Sequence, residues 1–233
     1  MKKLLLSYFE KIWHDAARLN NQRLISLVEN RKNAKVLDIG FFRGDLTVQR
    51  FQNITKPELY GVDIDSKAIE SGKKYKIKTT KHDLEKGFPF KSNFFDIIAA
   101  NQIIEHLVDV DLFVSEIFRV LKPNGYLVLS TENLSSWHNI FALMLGWQAF
   151  SQHVSHKSHV GNPLRLMEKR VESSDIHIKI FTPRGLKDLF RIYGFKMENT
   201  FGAGYYPFYG LPSRILSRLD PTHCAFIGIK ARK

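Results

Sequence analysis

From about residue 35 to the end, short β-rich runs alternate with helix-patterned stretches, and no other feature of the 233-residue chain restricts its fold as much. Strands joined by crossover helices wind into a parallel sheet covered on both faces, because each helix must bury its apolar stripe against the sheet. The expected architecture is doubly wound α/β. Strands are expected over residues 34–39, 59–64, 75–80, 94–100 and 126–131, with two more near 195–200 and 223–231. Residues 45–51 read as the first crossover helix, and Pro57 ends that crossover. Phe113, Ile117, Val120 and Leu121 form the stripe of a helix that stops at Pro123-Asn124-Gly125. Thr182-Pro183 is a helix start, a threonine cap with proline at the first helical position, leading through Leu186, Leu189 and Phe190 to Gly194. Ahead of the sheet, Phe9, Ile12, Trp13, Ala16, Leu24, Ile25 and Val28 recur at helical spacing and predict a helical cover. One domain is expected: a cover over 1–33, a core over 34–132, an insertion over 133–176 and a closing helix and strands over 177–233.

A composition of 44% hydrophobic and 25% charged residues is globular and excludes collagen-like and disordered classes. The longest apolar run, residues 140–147, is far short of the roughly 20 residues that span a bilayer. Leu4-Leu5-Leu6 after two lysines imitates a signal peptide, but Ser7, Glu10 and Lys11 cut it short, so a cytoplasmic protein is expected. Cys224 is the only cysteine, which rules out an internal disulfide and a cysteine-based metal site. Thirty-five basic against twenty-three acidic residues leave a net charge of +12, compatible with polyanions or an anionic surface as neighbours. Lys74, Lys76 and Lys78 alternate with Tyr75, Ile77 and Thr79 as the solvent face of a charged edge strand would.

The segment Val36-Leu37-Asp38-Ile39-Gly40-Phe41-Phe42-Arg43-Gly44 sets a glycine-bearing loop between a buried strand and a helix N-terminus, where free backbone N–H groups gather. Asp63 ends the next strand, placed so that its carboxylate can accept both hydroxyls of a ribose. Phe42 and Asp45 occupy two of the three glycine positions of the dinucleotide fingerprint, which disfavours a nicotinamide enzyme.

What remains resembles motif I of the class I S-adenosylmethionine-dependent methyltransferases (type 11, UbiE/UbiG-like), D-x-G-x-G-x-G, matched at Asp38, Gly40 and Gly44. The later stations come in the family's order. They are His82-Asp83-Leu84, the block from Phe94 to Ile98 followed by Asn101-Gln102-Ile103-Ile104-Glu105-His106, and the turn from Arg119 to Gly125. The resemblance implies a Rossmann-like seven-stranded sheet whose last strand is antiparallel, with S-adenosylmethionine as cofactor. Carried over residue by residue, the cofactor contacts are Asp38, Gly40, Gly44, Asp63, Ile64, Asp83, Leu84 and Asn101. The departure is Phe42 at the middle glycine of the motif, so a protein that keeps the fold without the cofactor is the alternative.

Methyl transfer to an acidic acceptor needs a base near the methyl group, and His106, following the fourth strand, is the candidate. A helix-capping or packing role is its bland alternative. Gln102, Glu105 and His106, with His177 further on, resemble the metal site of the small-RNA 3′-end 2′-O-methyltransferases, except that glutamine replaces the first acidic ligand. No metal is assigned, and metal-dependent RNA methylation stays as a second alternative. His153, His156 and His159 read as part of a polar lid. Trp137, Ile140, Phe141, Leu143, Met144, Leu145 and Trp147 are apolar nearly all round a helix, which suggests burial, and 201–210 would add an aromatic wall to the same cavity. The insertion is expected to choose the acceptor: a small molecule or sugar, a lipid-like or quinone-like molecule, or RNA. Oligomeric state is left open.

Overall fold

The computed structural model describes residues 2–158, 160–161, 163 and 176–233. Its strands are β1 (Lys35–Ile39), β2 (Glu58–Asp63), β3 (Lys78–Lys81), β4 (Phe95–Asn101), β5 (Leu121–Glu132), β6 (Lys196–Ala203) and β7 (Phe226–Arg232). Its helices are α1 (Lys2–Leu27), α2 (Gly44–Arg50), α3 (Ser66–Lys74), α4 (Val110–Val120), α5 (Trp137–Met144), α6 (Pro183–Ile192) and α7 (Gly210–Leu219). The strands form one sheet in the order β3-β2-β1-β4-β5-β7-β6. Strands β1 to β5 pair in parallel, whereas β7 runs antiparallel to both β5 and β6, so the last strand is the reversed one. Between β1 and β4 the chain switches the direction in which it builds the sheet, and such a switch opens a crevice at the carboxyl ends of those strands.

Side chains alternate faces along each strand with a period of two, and the core divides accordingly. On one face Leu37, Ile39, Ile98, Ala100, Leu127 and Leu129 meet α4 and α6 through Phe113, Ile117 and Phe190. On the other, Val36, Ile97, Ala99 and Val128 meet Leu24 and Val28 of the N-terminal cover and Phe51 and Ile54 after α2. Ile12, Ala16, Leu19 and Leu24 are buried along α1, and Trp13, expected on that stripe, is exposed. Thr182 caps α6 by accepting from the Gly185 amide, the contact its sequence predicts.

Several boundaries differ from expectation for local reasons. Tyr75 caps α3 and Lys76 turns with φ +58, so β3 begins only at Lys78 and the lysine alternation is a helix end, a left-handed turn and a strand start. Strand β3 is nonetheless the edge of the sheet. Helix α4 ends at Val120, and β5 starts at once with Leu121, bending through Asn124 at φ +63. Residues 221–223 form a 3-10 turn, so β7 starts at Phe226, and α7 occupies a stretch to which sequence reasoning assigned no element. Helix α5 is inverted relative to expectation: Asn139 and Ala142 are buried, and Phe141, Leu143 and Met144 are exposed. His159 and much of the insertion lie outside the described residues. Among the described residues, no helix is long and apolar enough to cross a membrane.

Because Leu24 joins the cover to the sheet, Leu24→Ala should lower unfolding free energy by about 2–5 kcal/mol. Chemical denaturation measures this, and a loss below about 1 kcal/mol would show that α1 is not part of the cooperative core.

Candidate active site

The loop after β1 is held from below. Asp38 is fully buried, accepts from Thr47 Oγ1 at 2.7 Å, and pairs through its other oxygen with Arg50. Burial raises its pKa, and the Arg50 guanidinium and Thr47 hydroxyl oppose the rise. Both partners are on α2, so Asp38 binds helix to strand. Each of its oxygens is engaged by α2, and the residue positions the loop above it. Above it, Gly40 takes φ +62, and a Cβ there would come within 2.5 Å of Ile103.

Phe41 turns inward, 1% exposed, onto Gly61 and Gly72, where added Cβ atoms would lie 2.8 and 3.0 Å from its ring. Phe42 therefore turns outward with φ +56 and 66% exposure. Its amide donates to Asp63 Oδ2 at 3.1 Å. The ring at the position of the missing glycine is thus directed to solvent, and the backbone still adopts the left-handed conformation that a glycine would supply.

Asp63 Oδ1 accepts from the Asp65 amide at 2.9 Å, so each oxygen carries one backbone bond and keeps a lone pair for a further donor. Ile64 beside it is 64% exposed, an apolar surface at the edge of the crevice. His82 donates its amide to the Asp63 carbonyl, joining the end of β3 to that of β2, and Asp83 caps the following turn by accepting from Glu85. Leu84 opens that turn, half-buried. The Asn101 amide is taken up by α1 and β5: Oδ1 accepts from Asn20 and Ser130 at 2.9 and 2.6 Å, and Nδ2 donates to Asn21 at 3.1 Å. Asn20 Oδ1 is buried without a hydrogen-bond partner. An exposed apolar platform flanked by carboxylates, next to an unfilled buried acceptor, fits an adenosine carrying an ammonium-bearing tail.

Across the crevice, a 3-10 turn (Ile104–His106) follows β4. His106 Nδ1 bonds the Ile176 carbonyl at 2.9 Å, and the ring meets His177 edge-on at 4.9 Å. His177 Nδ1 bonds the Ser151 carbonyl at 2.7 Å. Backbone carbonyls at both Nδ1 atoms fix the tautomer whose basic nitrogen is Nε2. His153, from the expected lid, meets His177 edge-on at 5.3 Å. Glu105 is fully buried, accepts from Thr131 at 2.8 Å, and has its pKa pushed up to about 8 by burial. The ligand atoms of Glu105, His106 and His177 lie within 4.8 Å of one another, a geometry able to hold a divalent cation. The Gln102 side chain lies against Glu105 and Thr131, and with its amide turned so that nitrogen meets acceptor it donates to Glu105 Oε1 at 3.0 Å.

Sequence reasoning missed the groups at the end of β5. Glu132 accepts from Ser151 Oγ at 2.8 Å, and burial pushes its pKa up to about 7. His138 stacks on Tyr206 at 4.6 Å, and burial brings its pKa down to about 4. The signal was available: Glu132 ends β5 as Asp63 ends β2, at the sheet edge where ligands gather.

The topology, the reversed last strand and the glycine-bearing loop facing two carboxylates define a nucleotide-binding α/β enzyme. A methyltransferase-domain family matches residues 12–200, and the chain belongs to the class I S-adenosylmethionine-dependent methyltransferases. A ubiquinone biosynthesis O-methyltransferase of Rickettsia typhi is 24% identical over 247 residues, covering 93% of this chain and 96% of that protein. Another, of Pelagibacter ubique, is 31% identical over 117 residues, a match that spans about half of that protein, 48%, and 48% of this chain. In structure, a Thermotoga maritima methyltransferase described as a possible histamine N-methyltransferase superimposes with TM-score 0.63 at 18% identity, covering 100% of this chain and 97% of that one. At that identity the likeness speaks for the fold alone.

Arg50→Ala would leave Asp38 buried without its cation and should cost about 3–5 kcal/mol of stability. Urea unfolding checks this, and a change under about 1 kcal/mol would mean that the pair does not hold α2 in place.

Proposed function

We propose that the enzyme methylates a hydroxyl group of a small, quinone-like aromatic acceptor. The observation that carries this reading is that the loop after β1, Asp63 and Asp83 stand at the same carboxyl ends of the sheet as His106 and Glu132, which follow β4 and end β5. Two relatives named as ubiquinone biosynthesis O-methyltransferases support the acceptor class. So does the exposed apolar face of α5, with Phe141, Leu143 and Met144 available to an apolar acceptor.

S-adenosylmethionine, when bound, supplies an electrophilic methyl group on a positive sulfur. The proposed contacts are Gly40 through the loop backbone, Asp63 to the ribose hydroxyls, Ile64 and Leu84 to the adenine faces, Asp83 to its amino group and the Asn101 backbone to the tail, while Gly44, whose amide donates to Ser71 Oγ at 3.0 Å, closes the loop against α3. The protein's remaining work is to align the acceptor oxygen, exclude water and remove a proton. His106 Nε2 takes that proton, because the Ile176 carbonyl holds Nδ1 as the donor nitrogen. We assign Glu132, which accepts from Ser151 Oγ, to the acceptor side of the site.

A second reading is favoured by one observation, the closeness of Glu105, His106 and His177. A cation held there would bind the acceptor oxygens and replace His106 as the means of ionising them. Activity unchanged by a chelator supports the first reading, and activity lost to the chelator and restored by zinc or magnesium supports the second.

Asp63→Ala should weaken S-adenosylmethionine binding by about 1–3 kcal/mol, read by calorimetry. Unchanged affinity would remove Asp63 from the cradle. His106→Gln should lower kcat by about 10²–10⁴-fold and abolish the rise of rate with pH that deprotonation of the base produces. A rise retained near pH 7 in His106→Gln but lost in Glu132→Gln would move the base to Glu132, whose carboxylate forms as pH passes about 7. Mass spectrometry of the labelled product separates a phenolic acceptor from a sugar or RNA.

A further inference from the structure

On the other side of α1 from the Asn20–Asn101 contact, a cavity of about 210 Å³ opens between α1, β6 and α7. Gln22, Arg23, Arg214, Ser217 and Arg218 line it, and no carboxylate does. Three arginines therefore line one small space. Several other arginines find acids: Arg50, Arg119, Arg191 and Arg232 each form an ion pair. Among the described residues, Arg23, Arg214 and Arg218 form none at salt-bridge distance. Arg214 and Arg218 are also four residues apart on α7, where like charges oppose each other.

A second, independent observation is Ser217. It is 5% exposed, lines the same cavity, and its Oγ is buried with no hydrogen-bond partner. A buried hydroxyl is costly to leave unbonded, and an acceptor entering the cavity would satisfy it. Convergent planar cation forks and a hydroxyl donor are the complement of a tetrahedral oxyanion, which accepts several hydrogen bonds at once and carries enough charge to offset three guanidiniums. At roughly 30 Å³ per water molecule, the volume accommodates a phosphate group with a few attached carbons. It is small for a nucleoside.

Helix α7 is built around this cavity in an unusual way. Its buried positions are the serines, Ser213 and Ser217, and Leu211, Ile215 and Leu219 form an exposed stripe beside the arginines. Ser213 is accounted for by the Tyr205 amide, which donates to its Oγ at 2.9 Å, and Ser217 has no such partner.

We propose that this cavity is a binding site for a phosphate-bearing ligand, held by Arg23, Arg214, Arg218 and the Ser217 hydroxyl and separate from the adenosyl cradle. A phosphomonoester in solution and the headgroup of an anionic lipid share this chemistry, and the test separates them. Calorimetry would use glycerol 3-phosphate and inorganic pyrophosphate, with chloride at matched ionic strength as control, and sedimentation would use phosphatidylcholine vesicles with and without phosphatidic acid. Each would be run on the wild-type chain and on the Arg214→Gln/Arg218→Gln double variant, whose exposed side chains can be changed without touching the core.

Saturable binding of one of these phosphate sources, weakened by about tenfold or more in the double variant at unchanged unfolding midpoint, is the expected result. Binding of the soluble esters assigns a free ligand, and binding of the phosphatidic acid vesicles alone assigns the headgroup. No binding above the chloride and phosphatidylcholine controls would overturn the proposal, as would equal affinity in the double variant. S-adenosylhomocysteine at saturation should leave phosphate binding intact, and competition between them would refute a separate site. This readout does not depend on methyl transfer, so its failure leaves the proposed reaction standing.

Discussion

The Asp38 carboxylate, shut away from water beneath the first crossover, is the point on which the cofactor side of the molecule depends. A helix of seven residues has no stability of its own, and α2 exists because Thr47 and Arg50 are tied to that carboxylate. With α2 fixed, the loop above it has little freedom. Gly40 takes a left-handed conformation at no steric cost, and Phe42 is held in one that persists only where the surroundings over-determine it. The acidic residue that opens the family motif thus works here through the backbone it positions. Sequence resemblance alone does not reveal that difference between touching a ligand and shaping the loop that does.

Much of the fold was legible because it rests on periodicity and caps. The strands β1 and β4 are largely apolar because both of their faces are buried, and α6 begins where Thr182 and Pro183 place it. The misreadings share a cause, which is that pattern does not reveal which face a segment will bury. Lysines alternating at 74, 76 and 78 imitate a strand, but Lys76 sits in a left-handed turn. The apolar residues of α5 imitate a core helix, yet the polar Asn139 is its buried anchor, bonded to the Asn133 carbonyl and to Ser151.

The site was legible in proportion to its dependence on the β-strand ends. Asp63, Ile64, Asp83 and Leu84 gather at the crevice as the motif order implies, and Phe42, the departure that put cofactor binding in question, turns its ring to solvent because Phe41 takes the inward position. The acceptor side was less legible, since it is assembled from residues far apart in sequence. His106 is oriented by Ile176, His177 by Ser151, and Glu132 by Ser151 again, so the insertion supplies the contacts that poise the groups at the sheet edge. An enzyme of this family can change its acceptor by changing that segment while the cradle remains the same.

The most direct measurement is a calorimetric titration of the full chain with S-adenosylhomocysteine in the presence and absence of excess adenosine. Saturable one-to-one uptake that adenosine competes away is the predicted result, because the cradle between β1 and β3 recognises the nucleoside. Absence of uptake, or uptake indifferent to adenosine, would contradict the assignment of that crevice to the cofactor.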